Sequence, residues 1–334
     1  DFFKCPYRFF VQYGLNVKPR VVAELKSADL GNILHAVLEN YVKGMDIVES
    51  DEVTEQTALA LYDKVLDDDF YRAIKRDEQM AGIIDQLRKE SVRMCLVVKQ
   101  QLVDSDFVNY ACELTFAPGA EVPAVRVDFD GGQFNLVGKI DRVDTYDGKF
   151  VVIDYKSGAG AAKYSEKDLY LGHKMQLLVY LKAVRDATGM TPVGFYYFNI
   201  HDNFTDIDEA NVYTYNGRTI NDEQTAFRLD NALERNGTSK TLGLRLKKDG
   251  TFYASSKVVS GAQIANQTEY AVRLIRRAGD LMRQGYAAVS PYHDQCKYCD
   301  YKAICDYNQA LTQGERELTA QVSASTIDEA LDEK

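Results

Sequence analysis

Asp154 and Lys156 stand two residues apart in the segment VVIDYKSG, where an apolar run gives way to an acid, an aromatic, a base and a turn. On a strand, alternate side chains share a face, so the carboxylate and the ammonium project together while Tyr155 projects the other way. One turn earlier, in VGKIDRVD, an antiparallel partner strand carries Asp141 to its far end, across from Asp154. Two carboxylates and a lysine at the ends of paired strands make a site for a hard cation with a positive charge beside it. Mg²⁺ takes oxygen ligands, keeps several waters and suits such an open site. The lysine there stabilises charge developing on a phosphate or orients a water. An Asp-x-Lys before a turn is also a common solvated pair; the upstream acid at hairpin spacing favours the chemical reading.

Further groups fit the same chemistry. Gln176 and Tyr180, in HKMQLLVYLKA, are four apart and share one helix face, where they can grip a phosphate backbone. His35 lies beside the apolar stripe of the segment ADLGNILHAVLENYVKG, one turn after Gly31. Taken singly, Tyr180 reads as core, Gln176 as a boundary residue and His35 as structural. Near the C-terminus, CKYCDYKAIC gives C-x2-C-x5-C at Cys296, Cys299 and Cys305. Three thiolates need a fourth for a closed zinc site or a cubane cluster, and Cys5, in KCPYRFF, is the best candidate. Such a site staples the two ends of the domain together. Chemistry alone leaves zinc and iron–sulfur both open. Cys95 and Cys112 read as ordinary buried thiols.

These groups need a scaffold. The pattern predicts helices over residues 29–44, 51–75 and 77–103, then strands from about residue 107. An antiparallel meander follows, with turns at Asp130-Gly131-Gly132 and Asp147-Gly148. A helix ending at Gly189 leads into the strand TPVGFYYFNI, so the core is mixed α/β with helices added before it. Residues 201–240 read as loops and a helix. A hairpin turning at Asp249-Gly250 and a long helix with a basic second half come next. The domain is expected to span 1–314, as a helical part (1–105), a catalytic core (106–200) and a hairpin, helix and cysteine segment (201–314). Residues 315–334 are expected to be a flexible tail.

Composition sets limits. The 334 residues are 46% hydrophobic and 27% charged, ordinary globular material, and no apolar run approaches a membrane span. The chain begins at Asp1 within sequence that already looks folded, and reads as a piece of a longer protein. A net charge of −10 argues against a general nucleic-acid binder, but not against a locally basic groove. Arg245, Lys247 and Lys248, and Arg273, Arg276 and Arg277, either track nucleic acid or are solvated faces. No Gly-x-x-x-x-Gly-Lys-Ser/Thr loop is present, so no ATP hydrolysis is expected.

GNILHAVLE, GKIDRVD, VVIDYKSG and QLLVY occur in the order of the RecB-like branch of the PD-(D/E)XK nucleases, which the chain resembles. The ends, FFKCPYRFFVQYGL and GYAAVSPYHDQCKYCDYKAIC, resemble the iron–sulfur nuclease domain of the B subunits of AddAB-type helicase–nucleases, over residues 1 to about 308. The resemblance implies a restriction-endonuclease-like core, a mixed central sheet flanked by helices. It implies Mg²⁺ held by His35, Asp141, Asp154 and the carbonyl of Tyr155, with Lys156 catalytic and Gln176 and Tyr180 orienting the strand. Glu113 could be the additional acid some members show, though its surroundings match loosely. A [4Fe–4S] cluster on Cys5, Cys296, Cys299 and Cys305 is implied too. So are a cytoplasmic location and a helicase-bearing A subunit that feeds it single-stranded DNA. The family role is to degrade the strand ending 5′ at a double-strand break, in recombinational repair. The alternatives are a catalytically silent DNA-binding scaffold and a stand-alone CRISPR-adaptation-type nuclease. The intact acids and lysine weigh against the first, and the extra helical and 201–260 regions against the second.

Overall fold

The computed structural model describes residues 1–18, 27–45, 49–68, 71, 80–157, 162–200, 214–239, 241–305, 307–308 and 314–333. Its centre is a six-stranded sheet in the order β1-β4-β5-β6-β7-β8. The strands are β1 (Val108–Phe116), β4 (Gly138–Tyr146), β5 (Lys149–Lys156), β6 (Thr191–Asn199), β7 (Tyr215–Ile220) and β8 (Val258–Val259). Neighbours run antiparallel except β5–β6 and β7–β8. The expected single meander divides in two: β2 (Val125–Phe129) and β3 (Gly132–Leu136) form a separate ribbon. Both hairpins turn where Gly sits in the left-handed region, at Gly131 and Gly148.

Helices cover both faces. Val151, Ile153 and Tyr155 of β5 join the core built by α2 (Ser27–Gly44), α3 (Asp51–Leu66) and α4 (Ala81–Val103). Phe150 and Val152 join the opposite core. That second core is made by α6 (Gln176–Thr188), which follows the one-turn α5 (Glu166–Tyr170), and by α8 (Gly261–Arg283), which follows α7 (Glu223–Leu229). Period-2 alternation along β5 thus buries both faces and leaves its last residues to choose a side. Parallel strands require a crossover, and α6 makes it between β5 and β6. Gly189 stops α6 at φ 72° with its N–H on the Arg185 carbonyl, as expected of a left-handed C-terminal glycine.

Three expectations change here. Helix α3 ends at Leu66, short of residue 75, and α4 is described from Ala81; residues 72–79, where the two expected helices end and begin, lie outside the described set. The stretch expected to be loops and a helix contains β7, which extends the sheet; residues 201–213 lie outside the described set. The expected tail contains α10 (Ala324–Asp332), capped by Ser323 and packed on α8 with Ile327 fully buried. Asn266 donates to Asp328, and Arg273 donates to the Ala330 carbonyl. At the other end, α1 (Pro6–Phe9) runs into a π-helical turn over Phe10–Gly14, and α9 (Lys302–Cys305) is a single turn.

Candidate active site

Registration of β4 on β5 pairs Arg142 with Ile153, so Asp141 and Asp154 face each other one step further along. The Tyr155 N–H donates to Asp141 Oδ2 at 2.7 Å and fixes that carboxylate. Asp154, 1% exposed, forms an ion pair with Lys156 on the same strand face. Lys156 Nζ donates to Gln176 Oε1 at 3.1 Å, and Gln176 Nε2 donates to Tyr180 Oη at 2.6 Å. The first residue of α6 is therefore tied to the last residue of β5, and Tyr180 holds the amide from one turn below.

Helix α2 supplies the third side. Its Gly31 passes so close to Ser157 that a Cβ there would stand 2.6 Å from the hydroxyl. That approach brings His35 Nδ1 to 3.5 Å from Asp141 Oδ2. Tyr155 turns its side chain into the core, edge-on to the His35 ring. Glu113, the acid with the loosest sequence match, completes the arrangement: His35, Glu113 and Asp141 each offer a ligand atom within 4.8 Å of the others. Its position on β1, between the pairs Cys112–Arg142 and Leu114–Ile140, sets it beside Asp141. Its backbone is left-handed (φ 55°), uncommon for a non-glycine residue inside a strand. Strain of this kind gathers at functional sites. Lys139 pairs with Glu113 from outside, and that carboxylate holds the lysine above its ordinary pKa.

The electrostatics follow from burial. Burial pushes Asp141 up to about 6, against the Tyr155 N–H, and the charge of Glu113 adds to the rise. Burial and the neighbouring Asp141 push Asp154 up to about 6 as well, with Lys156 opposing. Burial lowers the pKa of His35 despite the nearby Asp154 and Glu113, which favours the neutral imidazole, whose unprotonated ring nitrogen can bind metal. Burial and like charge raise crowded carboxylates, and here they outweigh the pull of Lys156 and Lys139. Oδ2 of Asp154 and Oε2 of Glu113 are buried, each in an ion pair with a lysine ammonium. This donor set of oxygens and one imidazole fits a divalent cation.

Between the two chain ends, Cys5, Cys296, Cys299 and Cys305 line one cavity with Tyr7, Arg8, Val289, Pro291, Gln295, Tyr301 and Tyr307. All four are thiols rather than disulfides. Main-chain hydrogen bonds from Tyr7 to Ala288 and from Tyr292 to Lys4 join the two termini beside them. Four convergent thiols in a mostly apolar wall fit a thiolate-bound metal centre.

The sequence pattern of the PD-(D/E)XK nuclease superfamily matches residues 1–306. The chain belongs to that superfamily. It is 30% identical to the B subunit of the ATP-dependent helicase/deoxyribonuclease of Clostridium kluyveri, over 93% of this chain and 30% of that protein. Identity to the protein of the same name from Clostridium tetani is 28%, over 93% of this chain and 29% of the relative. For Desulforamulus reducens it is 28%, over the whole of this chain and 32% of the relative. The chain thus spans about a third of the length of the relatives it matches. Among the described residues no helix is long and apolar enough to cross a membrane.

As a PD-(D/E)XK protein, the chain carries its acids and lysine at the ends of adjoining strands, with His35 and Gln176 arriving from opposite helical layers. The basic stretches divide. Arg273 and Arg276 spend donors on the carbonyls of Ala330 and Asp128, and Arg245 and Lys247 lie over Tyr253. Arg277 and Lys248 are exposed.

Proposed function

We propose that this chain is the nuclease domain of a helicase–nuclease B subunit. It hydrolyses phosphodiester bonds in single-stranded DNA, with Mg²⁺, on a strand delivered by a helicase-bearing partner subunit in the cytoplasm. The observation that carries this reading is the convergence of His35, Glu113, Asp141, Asp154, Lys156 and Gln176 on one end of the β4–β5 pair. The relatives, named for ATP-dependent helicase and deoxyribonuclease activity, support DNA as the substrate and a helicase as the companion.

His35, Glu113, Asp141 and Asp154 would hold the cation. Bound there, Mg²⁺ supplies Lewis-acid polarisation of the phosphate and a more acidic water. Lys156, adjoining Asp154, places its ammonium where the phosphorane charge develops and can donate a hydrogen bond to a water. Gln176 fixes that ammonium from the α6 side, and Tyr180 fixes Gln176. Strand polarity follows the resemblance: degradation of the strand that ends 5′, in double-strand break repair. Cys5, Cys296, Cys299 and Cys305 would hold a [4Fe–4S] cluster as a staple between the termini.

Cleavage of labelled single-stranded DNA with and without Mg²⁺ tests the reading, beside Asp154→Ala and Lys156→Ala, with a visible spectrum of each sample. Wild-type cleavage, dead variants and unchanged iron–sulfur absorbance are expected. A chain that holds its cluster yet stays inert, even with the helicase partner added, would be a scaffold.

A further inference from the structure

We infer that Lys174, with Lys163 and Lys4 beside it, binds the DNA phosphate next to the one being cut and so seats the strand in the site. This rests on the nuclease reading above. Lys174 lies two residues before Gln176, in the short connection from α5 to α6. Its Nζ is 5.7 Å from the centre of the Tyr197 ring, and Lys156 Nζ is 5.5 Å from the same centre. Tyr197 pairs in register with Asp154 across β5–β6 and is buried, so it forms a fixed floor beneath both ammonium groups. One buried aromatic ring therefore lies close to both the catalytic lysine and a second cation.

The connection is held rigidly. The N–H groups of His173 and Lys174 both donate to the Asp168 carbonyl. Gly172 sits at φ 70° against the ring of Phe3, and a Cβ there would meet that ring at 2.5 Å. Lys174 Nζ donates to the Lys163 carbonyl at 2.7 Å and stands 4.0 Å from Asp168. Burial first, and then the charges of Lys4, Lys156 and Lys163, lower its proton affinity, with Asp168 opposing. Lys4 also pairs with Asp1 and Lys156 with Asp154, so lysines and acids are set side by side along a connection already ordered before any ligand arrives. An anion at this point relieves the repulsion among the lysines, and the anion beside a scissile phosphate is the next phosphate of the strand. A pre-ordered cation loses little entropy on binding.

The test is binding of a fluorescent single-stranded oligonucleotide in EDTA across a salt series, with Lys174→Gln, Lys174→Arg and, as control, Lys89→Gln. Lys89 is an exposed α4 residue paired with Asp85. Leaving one phosphate without its cation flattens the slope of log K against log salt by about 0.7. Lys174→Gln is expected to lose about that much slope and bind several-fold more weakly at low salt. Lys174→Arg should restore the slope, and Lys89→Gln should match wild type. In Mg²⁺ the glutamine variant should raise KM and leave kcat within about twofold. Where binding in EDTA is too weak to follow, the salt dependence of KM gives the same slope. Wild-type slope and affinity in Lys174→Gln, or equal loss in Lys89→Gln, would overturn the inference and leave the nuclease reading standing. A wild-type chain that neither binds nor cuts DNA overturns both.

Discussion

At the residue scale, burial makes the charge of Asp141 and Asp154 costly to the folded chain, a cost that a bound cation would offset. Asp141 and Asp154 hold protons up to about pH 6 in the folded chain, against about 4 in an unfolded one. Because the folded-state values are raised, the metal-free protein loses stability as pH climbs from about 4 to 6, and the penalty stays above that. Asp154→Asn should therefore abolish cleavage while raising stability in EDTA at pH 8 by about 1–2 kcal/mol, with the gain absent near pH 4. Thermal unfolding at the two pH values reads this directly; a less stable asparagine variant at pH 8 would contradict the burial argument. Protons compete with metal for the same oxygens, so metal affinity should rise through pH 6 and level off, with proton release on binding below that point. Titration calorimetry in buffers of different ionisation enthalpy measures the release. Glu113→Gln keeps the shape and removes one anion from the trio with His35 and Asp141. It should shift the metal concentration for half-maximal activity upward about tenfold or more. An unchanged requirement would place Glu113 outside the metal shell.

At the element scale, the site depends on α2 lying against the end of β5, and Gly31 permits it. Alanine at 31 presses on the Ser157 hydroxyl, which can rotate; leucine cannot be accommodated without displacing the helix. Gly31→Leu should retain the fold, because the α2 core residues Leu34, Val37 and Leu38 are unchanged, yet weaken metal binding by moving His35 off Asp141. Metal titration of the folded variant decides, with normal affinity counting against the close approach. Much of this architecture could be read from the sequence because it is local. Period-2 alternation in VVIDYKSG, the glycine stop at 189 and the i,i+4 pair Gln176–Tyr180 each specify their own geometry. What escaped was non-local. Whether the β2–β3 ribbon joins the main sheet is decided by packing against α8, not by its turn. Residues 215–220, YNGRTI, are too polar to advertise a strand, and β6 recruits them by pairing. Glu113 was visible as an acid but not as a neighbour of His35. Its left-handed backbone has no sequence signal, and only the β1–β4 register brings it across. The α10 helix hid in a polar tail because one buried isoleucine, a serine cap and partners on α8 anchor it.

At the scale of the whole molecule, the termini meet at the four cysteines, and this junction leans on the active site. Phe3, two residues before Cys5, packs on Gly172, and Tyr292, four before Cys296, packs edge-on to His173. Both contacts bear on the connection that leads into Gln176. Arg316 adds a hydrogen bond to the Phe3 carbonyl from beyond the cysteines. By contrast, His35, Asp141 and Asp154 are held by α2 and the sheet, away from the junction. A metal centre bound only by the folded state stabilises that state by its binding energy and closes a loop of nearly the whole chain. Cys5→Ser should therefore lower Tm by roughly 5–10 °C, on the scale of a lost cross-link. Its effect on catalysis should be unequal. Loosening the 171–175 connection frees Gln176 and its neighbours while leaving the acid cluster in place, so KM for single-stranded DNA should rise more than kcat falls. Kinetics at a temperature well below the lowered Tm, with iron and zinc quantified in both proteins, separates this from simple unfolding. Equal losses in kcat and KM at full folding would mean the junction serves stability alone, and zinc in place of iron would correct the nature of the staple without moving its ligands.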